Sequence, residues 1–252
     1  MKITIILPVY NGAATLRRAL DSTLDQGADQ VVAIDDASTD DTPRILASYP
    51  HVRVHRHPEK SADWLRAMEP IIEQLETDYV IGLGADDWLY PGIVAQIRRT
   101  LAETPHLEPG VVFCDFDHVS SNGARRIATK RYSPVKCHLP PAAYRRHIAD
   151  MLPRSECGVG SAIRHKLLVW LQREDWASLG PWSDVYGYIL AGLRAGAIYI
   201  PGPYAAFTVR RDSYSGHHQS DPVLRRRYEA AARAFLARPG IHPHTTGVQF
   251  PI

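Results

Sequence analysis

Two pairs of adjacent carboxylates carry most of the chemical information in this sequence. Asp86-Asp87 follow Gly84-Ala85 and stand shortly before Pro91-Gly92. Carboxylate oxygens are hard donors suited to Mg2+ or Mn2+, and one or two suffice where substrate phosphates and water complete the shell. An ion so held neutralises the concentrated charge of a diphosphate leaving group. Taken alone, the pair also reads as an acidic turn capping the helix after Pro91-Gly92. Asp35-Asp36 poses the same choice beside Ser38 and Thr39. Helix capping accounts for it in isolation. An ionised Asp there can also accept the imide N–H of uracil or thymine, or a ribose hydroxyl.

Both pairs lie where a strand must end. Residues 3–7 (Ile-Thr-Ile-Ile-Leu) are a short, β-branched apolar run closed by Pro8, and Asn11-Gly12 turns the chain. Residues 13–25 space Leu16, Ala19, Leu20, Thr23 and Leu24 along one helical face. Residues 30–34 form a second buried strand that runs into Asp35-Asp36, and Ser38 or Thr39 is placed to cap the next helix. Residues 52–55 and 79–83 read as two further strands, with a helix over 62–75 between them. Such alternation implies a mainly parallel sheet with right-handed crossovers, whose ligands sit at the carboxyl ends of its strands. Residues 8–11, Asp35-Asp36 and Asp86-Asp87 all fall at such ends, so three polar clusters converge on one edge.

The second half is less regular. Residues 111–116 are a strand, Ser121-Asn122-Gly123 a turn, and 130–141 a Pro-rich basic stretch. Residues 183–195 form an amphipathic helix, followed by a strand at 197–200 and a turn at Pro201-Gly202-Pro203. A last helix spans 222–236, and the Pro/His/Gly-rich tail from Pro239 reads as extended.

Composition excludes several classes. Formal net charge is +2, which is too mild for a nucleic-acid-binding face. The cysteines, Cys114, Cys137 and Cys157, show no zinc spacing, so a reduced, cytoplasmic chain is the simplest reading. The start lacks the basic and long apolar regions of a signal peptide, and no run approaches the ~18 apolar residues of a membrane span. Any membrane association would be peripheral, at the inner face. Arg225-Arg226-Arg227 could touch anionic lipid there, although a solvated helix face explains them as simply.

Leu7-Pro8-Val9-Tyr10-Asn11-Gly12, Asp35-Asp36-Ala37-Ser38-Thr39-Asp40-Asp41-Thr42 and Gly84-Ala85-Asp86-Asp87-Trp88-Leu89-Tyr90-Pro91-Gly92 resemble the family 2 glycosyltransferases. The resemblance is specific over residues 1–100, resumes at 183–215 and is weak between. It implies a GT-A α/β fold: a Rossmann-like, mainly parallel sheet flanked by helices, with a less regular acceptor-binding half. The donor half would be 1–110, the acceptor half 111–220, and 221–252 a C-terminal helix and tail. The implied reaction moves a sugar, with inversion, from a nucleotide diphosphate donor (a UDP-sugar favoured) to a hydroxyl of a glycan, lipid-linked or other acceptor. Polysaccharide or glycoconjugate assembly would be the setting.

Residue by residue, the resemblance assigns Pro8, Tyr10, Asn11 and Asp36, with Asp35 nearby, to the base and ribose. Asp86 falls to ribose and metal-diphosphate, and Asp87 to the Mn2+ or Mg2+ cofactor. Arg66 and Arg210 correspond to arginines that touch the diphosphate, and Asp184 to the general base at the head of its helix. A proton acceptor within hydrogen-bond reach of the attacking hydroxyl is what that step needs. Helix N-capping is the simpler role for Asp184, and both can hold together. Three positions depart from the pattern. Gly84 replaces the first carboxylate of the Asp-x-Asp motif, and Ser183 replaces a Glu. Asp212 stands where many members have a metal-binding His, which suggests that this loop restores the metal's charge balance. Gly84 and Ser183 keep open a non-catalytic nucleotide-sugar-binding or scaffold protein with a degenerate metal site. Nucleotidyl transfer is disfavoured, because Asn11-Gly12-Ala13-Ala14 offers no basic phosphate loop. Trp170, Trp176 and Trp182 are candidates for stacking on acceptor sugars or for the core.

Overall fold

The structure, a computed structural model, describes residues 1–120, 126–128, 132–151, 158–209 and 221–245. The first half runs β1 (Ile3–Val9), α1 (Leu16–Leu24), β2 (Gln30–Asp35), α2 (Thr42–Ala47), β3 (Val52–Arg56), α3 (Trp64–Glu73), β4 (Tyr79–Gly82), β5 (Trp88–Leu89) and α4 (Ile93–Glu103). The second half runs β6 (Val111–Ser120), β7 (Arg126–Ala128), β8 (Cys137–Leu139), α5 (Pro141–Met151), β9 (Ala162–Arg164) and α6 (His165–Arg173). A 3₁₀ segment (Trp176–Trp182), α7 (Ser183–Ala195), β10 (Ala197–Val209), α8 (Pro222–Leu236) and α9 (His242–Thr245) complete it.

One sheet joins both halves in the order β3-β2-β1-β4-β9-β6-β10-β5, with β7 added to β6 and β8 to β10. The pairs β3–β2, β2–β1, β1–β4 and β6–β10 are parallel, while β9 and β5 are antiparallel to their neighbours. Strand β1 is apolar almost throughout because it is covered on both sides. Ile3, Ile5, Leu7 and Val9 pack with Leu16 and Leu20 of α1, Leu46 of α2 and Val94 of α4. On the opposite face Ile6, with Val32 of β2 and Val80 of β4, packs with Leu65 of α3, Leu171 of α6 and Ile189 of α7. The period-two alternation of a strand divides one run between two cores.

Three sequence expectations change. The turn at Pro201-Gly202-Pro203 is a bulge, and β10 runs on through it to Val209 with register shifts against β6 between Ile200 and Ala205. Two prolines cannot donate to a ladder, and the Gly202 N–H goes instead to buried Asp115 at 3.0 Å, which also accepts from the Tyr199 hydroxyl at 2.7 Å. The strand therefore bends without ending. As far as Thr245 the tail is not extended, because buried Ile241 and Thr245 seat the short helix α9; residues 246–252 lie outside the described residues. Neither Ser38 nor Thr39 caps α2, since Asp41 is its N-cap residue and Asp40 Oδ1 takes the Thr42 N–H at 2.9 Å. Helices α5 and α6 and strand β9 had no clear sequence signal.

Helix α7 crosses the sheet at close range. A Cβ on Gly110 would lie 1.9 Å from the Ala191 carbonyl oxygen, and one on Gly192 would lie 2.3 Å from the Tyr144 ring. Backbone cannot yield as a side-chain tip does, so Gly110→Ala is expected to cost about 2–3 kcal/mol. Urea unfolding would read it as a lower midpoint. Gly158→Ala, whose Cβ would meet nothing within 4 Å, should leave the midpoint unchanged.

Candidate functional site

The first two polar clusters are sewn to each other. Pro8 pairs with Ile34 beyond the last β1–β4 partner, Ile6–Gly82, so its missing N–H removes no bond to β4. Asn11 adopts a left-handed conformation, φ 48°, which an Asn side chain tolerates. Its N–H donates to Ser38 Oγ at 2.9 Å, and its Oδ1 accepts the Thr39 N–H at 2.8 Å. The Gly12 and Ala13 N–H groups go to Thr42 Oγ1 and Asp40 Oδ2, both at 3.0 Å. The turn after β1 is thus held by side chains of the turn after β2. Tyr10 remains 42% exposed at this edge, with Lys60 Nζ 3.9 Å from its ring centroid.

The two carboxylates of the second cluster diverge in role. Asp35 is fully enclosed, accepts the Ser38 N–H at 2.9 Å and lies 3.6 Å from Arg56 Nε. It shapes the turn. Asp36 Oδ1 accepts from His57 Nδ1 at 2.9 Å, the Ser61 N–H at 3.0 Å and the Ser61 hydroxyl at 2.6 Å. Burial pushes the Asp36 carboxyl up, but these hydrogen bonds outweigh it and hold it below the ordinary aspartate range.

The third cluster follows β4. Asp87 is 5% exposed, and its Oδ1 accepts the Thr208 N–H at 2.7 Å. The Thr208 hydroxyl donates to the Asp86 carbonyl, and Arg18 of α1, stacked 3.8 Å over Trp88, donates to the same oxygen at 3.0 Å. Burial, then the charge of Asp86, raises the Asp87 carboxyl well above its ordinary range, and the charge of Asp184 adds to it. Helix α7 approaches the end of β4. Tyr188, one helical turn on from Asp184, points its hydroxyl at Gly82, where a Cβ would lie 3.4 Å away. Asp184 itself is open to solvent and accepts the Val185 N–H at 2.7 Å. The protein massed around it nonetheless raises its carboxyl, against the pull of its backbone hydrogen bonds.

The residues present fit a divalent cation. A Cβ at Gly84 would lie 2.8 Å from Asp87 Oδ2 and 3.2 Å from Asp86 Oδ1, so the two oxygens converge over one Cα. They occupy the space that a first carboxylate would claim. Adjacent hard oxygens, one of them buried among like charges, are a donor set that a cation relieves. Among the described residues no three His, Cys, Asp or Glu side chains gather closely enough to hold a metal. The remaining ligands would be water and phosphate. Asp212 and Arg210 lie outside the described residues.

Arg66 is occupied elsewhere. Its Nε is 3.2 Å from Asp63 Oδ2 and its other arm bonds Asp175, which Arg238 also grips at 2.8 Å. The two guanidiniums hold Asp175 in a left-handed conformation, φ 64°, at the head of the 3₁₀ segment. Ser183 is 2% exposed and so is closed to solvent. Trp176 is core, and Trp170 lies partly buried under the Arg194 guanidinium, 4.2 Å from its ring centroid. The side chain of Trp182 lies outside the described residues.

Residues 4–168, more than half of the chain, match the model of glycosyl transferase family 2. The chain belongs to that family. Among proteins it resembles is an uncharacterized glycosyltransferase of Rickettsia prowazekii, 27% identical over 139 residues, 53% of this chain and 43% of that one. Glycosyltransferase GlyA of Streptococcus pneumoniae is 28% identical over 106 residues, 40% of this chain and 15% of that one. The chain therefore spans less than half the length of these curated relatives. S. aureus TarS 1–349 in complex with UDP-GlcNAc superposes with TM-score 0.66 at 17% identity, over 95% of this chain and 68% of that one. The complex with UDP gives 0.65 at 18%, over 95% and 67%. At such identity the likeness shows the fold, which is GT-A. Among the described residues no helix is long and apolar enough to cross a membrane.

Thr208, Arg18, His57 and Ser61 escaped the sequence reading, because each meets its partner through a contact that no local pattern announces. Thr208→Val removes the hydroxyl but keeps the shape and the main-chain bond to Asp87. It should cost about 1 kcal/mol in urea unfolding, and Thr208→Ser should recover most of it.

Proposed function

We propose that this chain transfers a sugar, with inversion, from a nucleoside diphosphate donor to an acceptor hydroxyl. One observation carries the reading: the Tyr188 hydroxyl meets Gly82 at the end of β4, so the helix headed by Asp184 stands at the edge that carries Asp86 and Asp87. The donor half would be 1–110 and the acceptor half 111–220, although a single sheet runs through both. Tyr10, Asn11 and Asp36 would receive the base and ribose. Mn2+ or Mg2+, held by Asp86 and Asp87, would offset the charge of the departing diphosphate. The acceptor oxygen attacks the anomeric carbon as the bond to the diphosphate oxygen breaks. The hydroxyl proton passes to Asp184, and the nucleoside diphosphate leaves with the bonding electrons. UDP is the favoured nucleotide, a preference supported by the UDP and UDP-GlcNAc complexes of TarS. Gly84 favours a second reading, binding without transfer, because the motif's first carboxylate is absent.

A base must be ionised to accept a proton. Because the Asp184 carboxyl lies above the ordinary 3.8, kcat should fall as pH drops, with an acid-limb midpoint above that value. Asp184→Asn should lower kcat by ~100-fold or more while UDP affinity stays within about twofold of wild type. Transfer rates from a panel of UDP-sugars, with calorimetric UDP binding alongside, make the test. Unchanged kcat in Asp184→Asn would remove Asp184 from the role. UDP binding with no transfer or donor hydrolysis would favour the binding-only reading.

A further inference from the structure

The segment after β3 closes on two residues of the proposed base subsite, Asp36 and Tyr10. His57 is anchored by its N–H to the Asp35 carbonyl at 2.9 Å, which aims its ring at Asp36. Ser61 brings a main-chain and a side-chain donor to the same Asp36 oxygen. A carboxylate oxygen offers about two lone-pair sites, so three donors more than fill Oδ1. Oδ2 has no hydrogen-bond partner among the described residues. The carboxylate therefore presents one acceptor to a base. Between His57 and Ser61, Lys60 lays its ammonium over the exposed Tyr10 ring.

We propose that His57 and Ser61 are positioning residues that restrict Asp36 to a single-point acceptor, and so set the donor's base as a pyrimidine imide, uracil or thymine. The proposal rests on the donor-site reading above. An imide offers one N–H, which Oδ2 can take, flanked by carbonyl oxygens for which the Lys60 ammonium is a complementary donor. Guanine offers two parallel donors, N1–H and the 2-amino group, and is gripped best when both carboxylate oxygens are free. Cytosine presents a lone pair at the corresponding ring nitrogen, and an ionised carboxylate repels it. With Oδ1 filled, the site favours uracil over guanine; with Oδ1 vacated, it should grip both.

Calorimetric titration of UDP, GDP and N3-methyl-UDP tests this. Wild type should bind UDP at least about tenfold more tightly than either alternative, the value of one hydrogen bond to a charged group. Ser61→Ala and His57→Ala/Ser61→Ala should narrow the UDP:GDP ratio stepwise, to about threefold or less in the double variant. Ser61→Thr and His57→Asn, which keep donors, should hold the wild-type ratio, a distinction that loss of stability alone would not produce. An unchanged UDP:GDP ratio in the alanine variants would overturn the assignment. Equal binding of UDP and N3-methyl-UDP by the wild-type protein would overturn it without any variant. Failure of every nucleoside diphosphate to bind would instead overturn the donor-site reading.

Discussion

The gathering of negative charge at the end of β4 is the constraint on which the rest of the site depends. Asp87 is almost wholly enclosed next to Asp86, and burial beside a like charge holds its carboxyl well above the ordinary range. A fold tolerates this only by surrounding it with donors and cations. Thr208 gives Asp87 a main-chain N–H and gives the turn a hydroxyl, while Arg18 grips the same turn from α1. These contacts fix the turn's shape. A cation carrying diphosphate oxygens has the complementary sign and chemistry.

The architecture explains how distant parts of the chain supply this site. Parallel strands β2, β1 and β4 deliver the Asp35-Asp36 turn, the Tyr10-Asn11 turn and the Asp86-Asp87 turn to one edge. Helix α7 has room to bring Asp184 over that edge because Gly110 and Gly192 allow it close to β6 and to Tyr144. Strand β10 reaches the edge only by running through its proline bulge, and it arrives there as Thr208. Asp115, far from the acidic turn in sequence, accordingly matters to it through the course of one strand.

The first half was legible because its information is local. Strands buried on both faces are unbroken apolar runs, and the polar pairs that close them mark the edge where ligands gather. The second half was less so because its decisive contacts are long-range. Nothing near Pro201 or Pro203 announces that Asp115, 87 residues before Gly202, will take the Gly202 N–H and let the strand continue. Arg66 carries no sign that its partner is Asp175, 109 residues away. Asp35 and Asp36 look alike in sequence, yet one is enclosed against Ser38 and Arg56 while the other faces His57 and Ser61. A motif gives the residue types; the fold decides which of them reaches the site.

The most direct measurement is calorimetric titration of UDP with and without Mn2+, on wild type and on Asp86→Ala/Asp87→Ala. The account predicts tight binding only with the metal, and its loss in the double variant with the protein still folded. UDP binding that is indifferent both to Mn2+ and to the two carboxylates would contradict it.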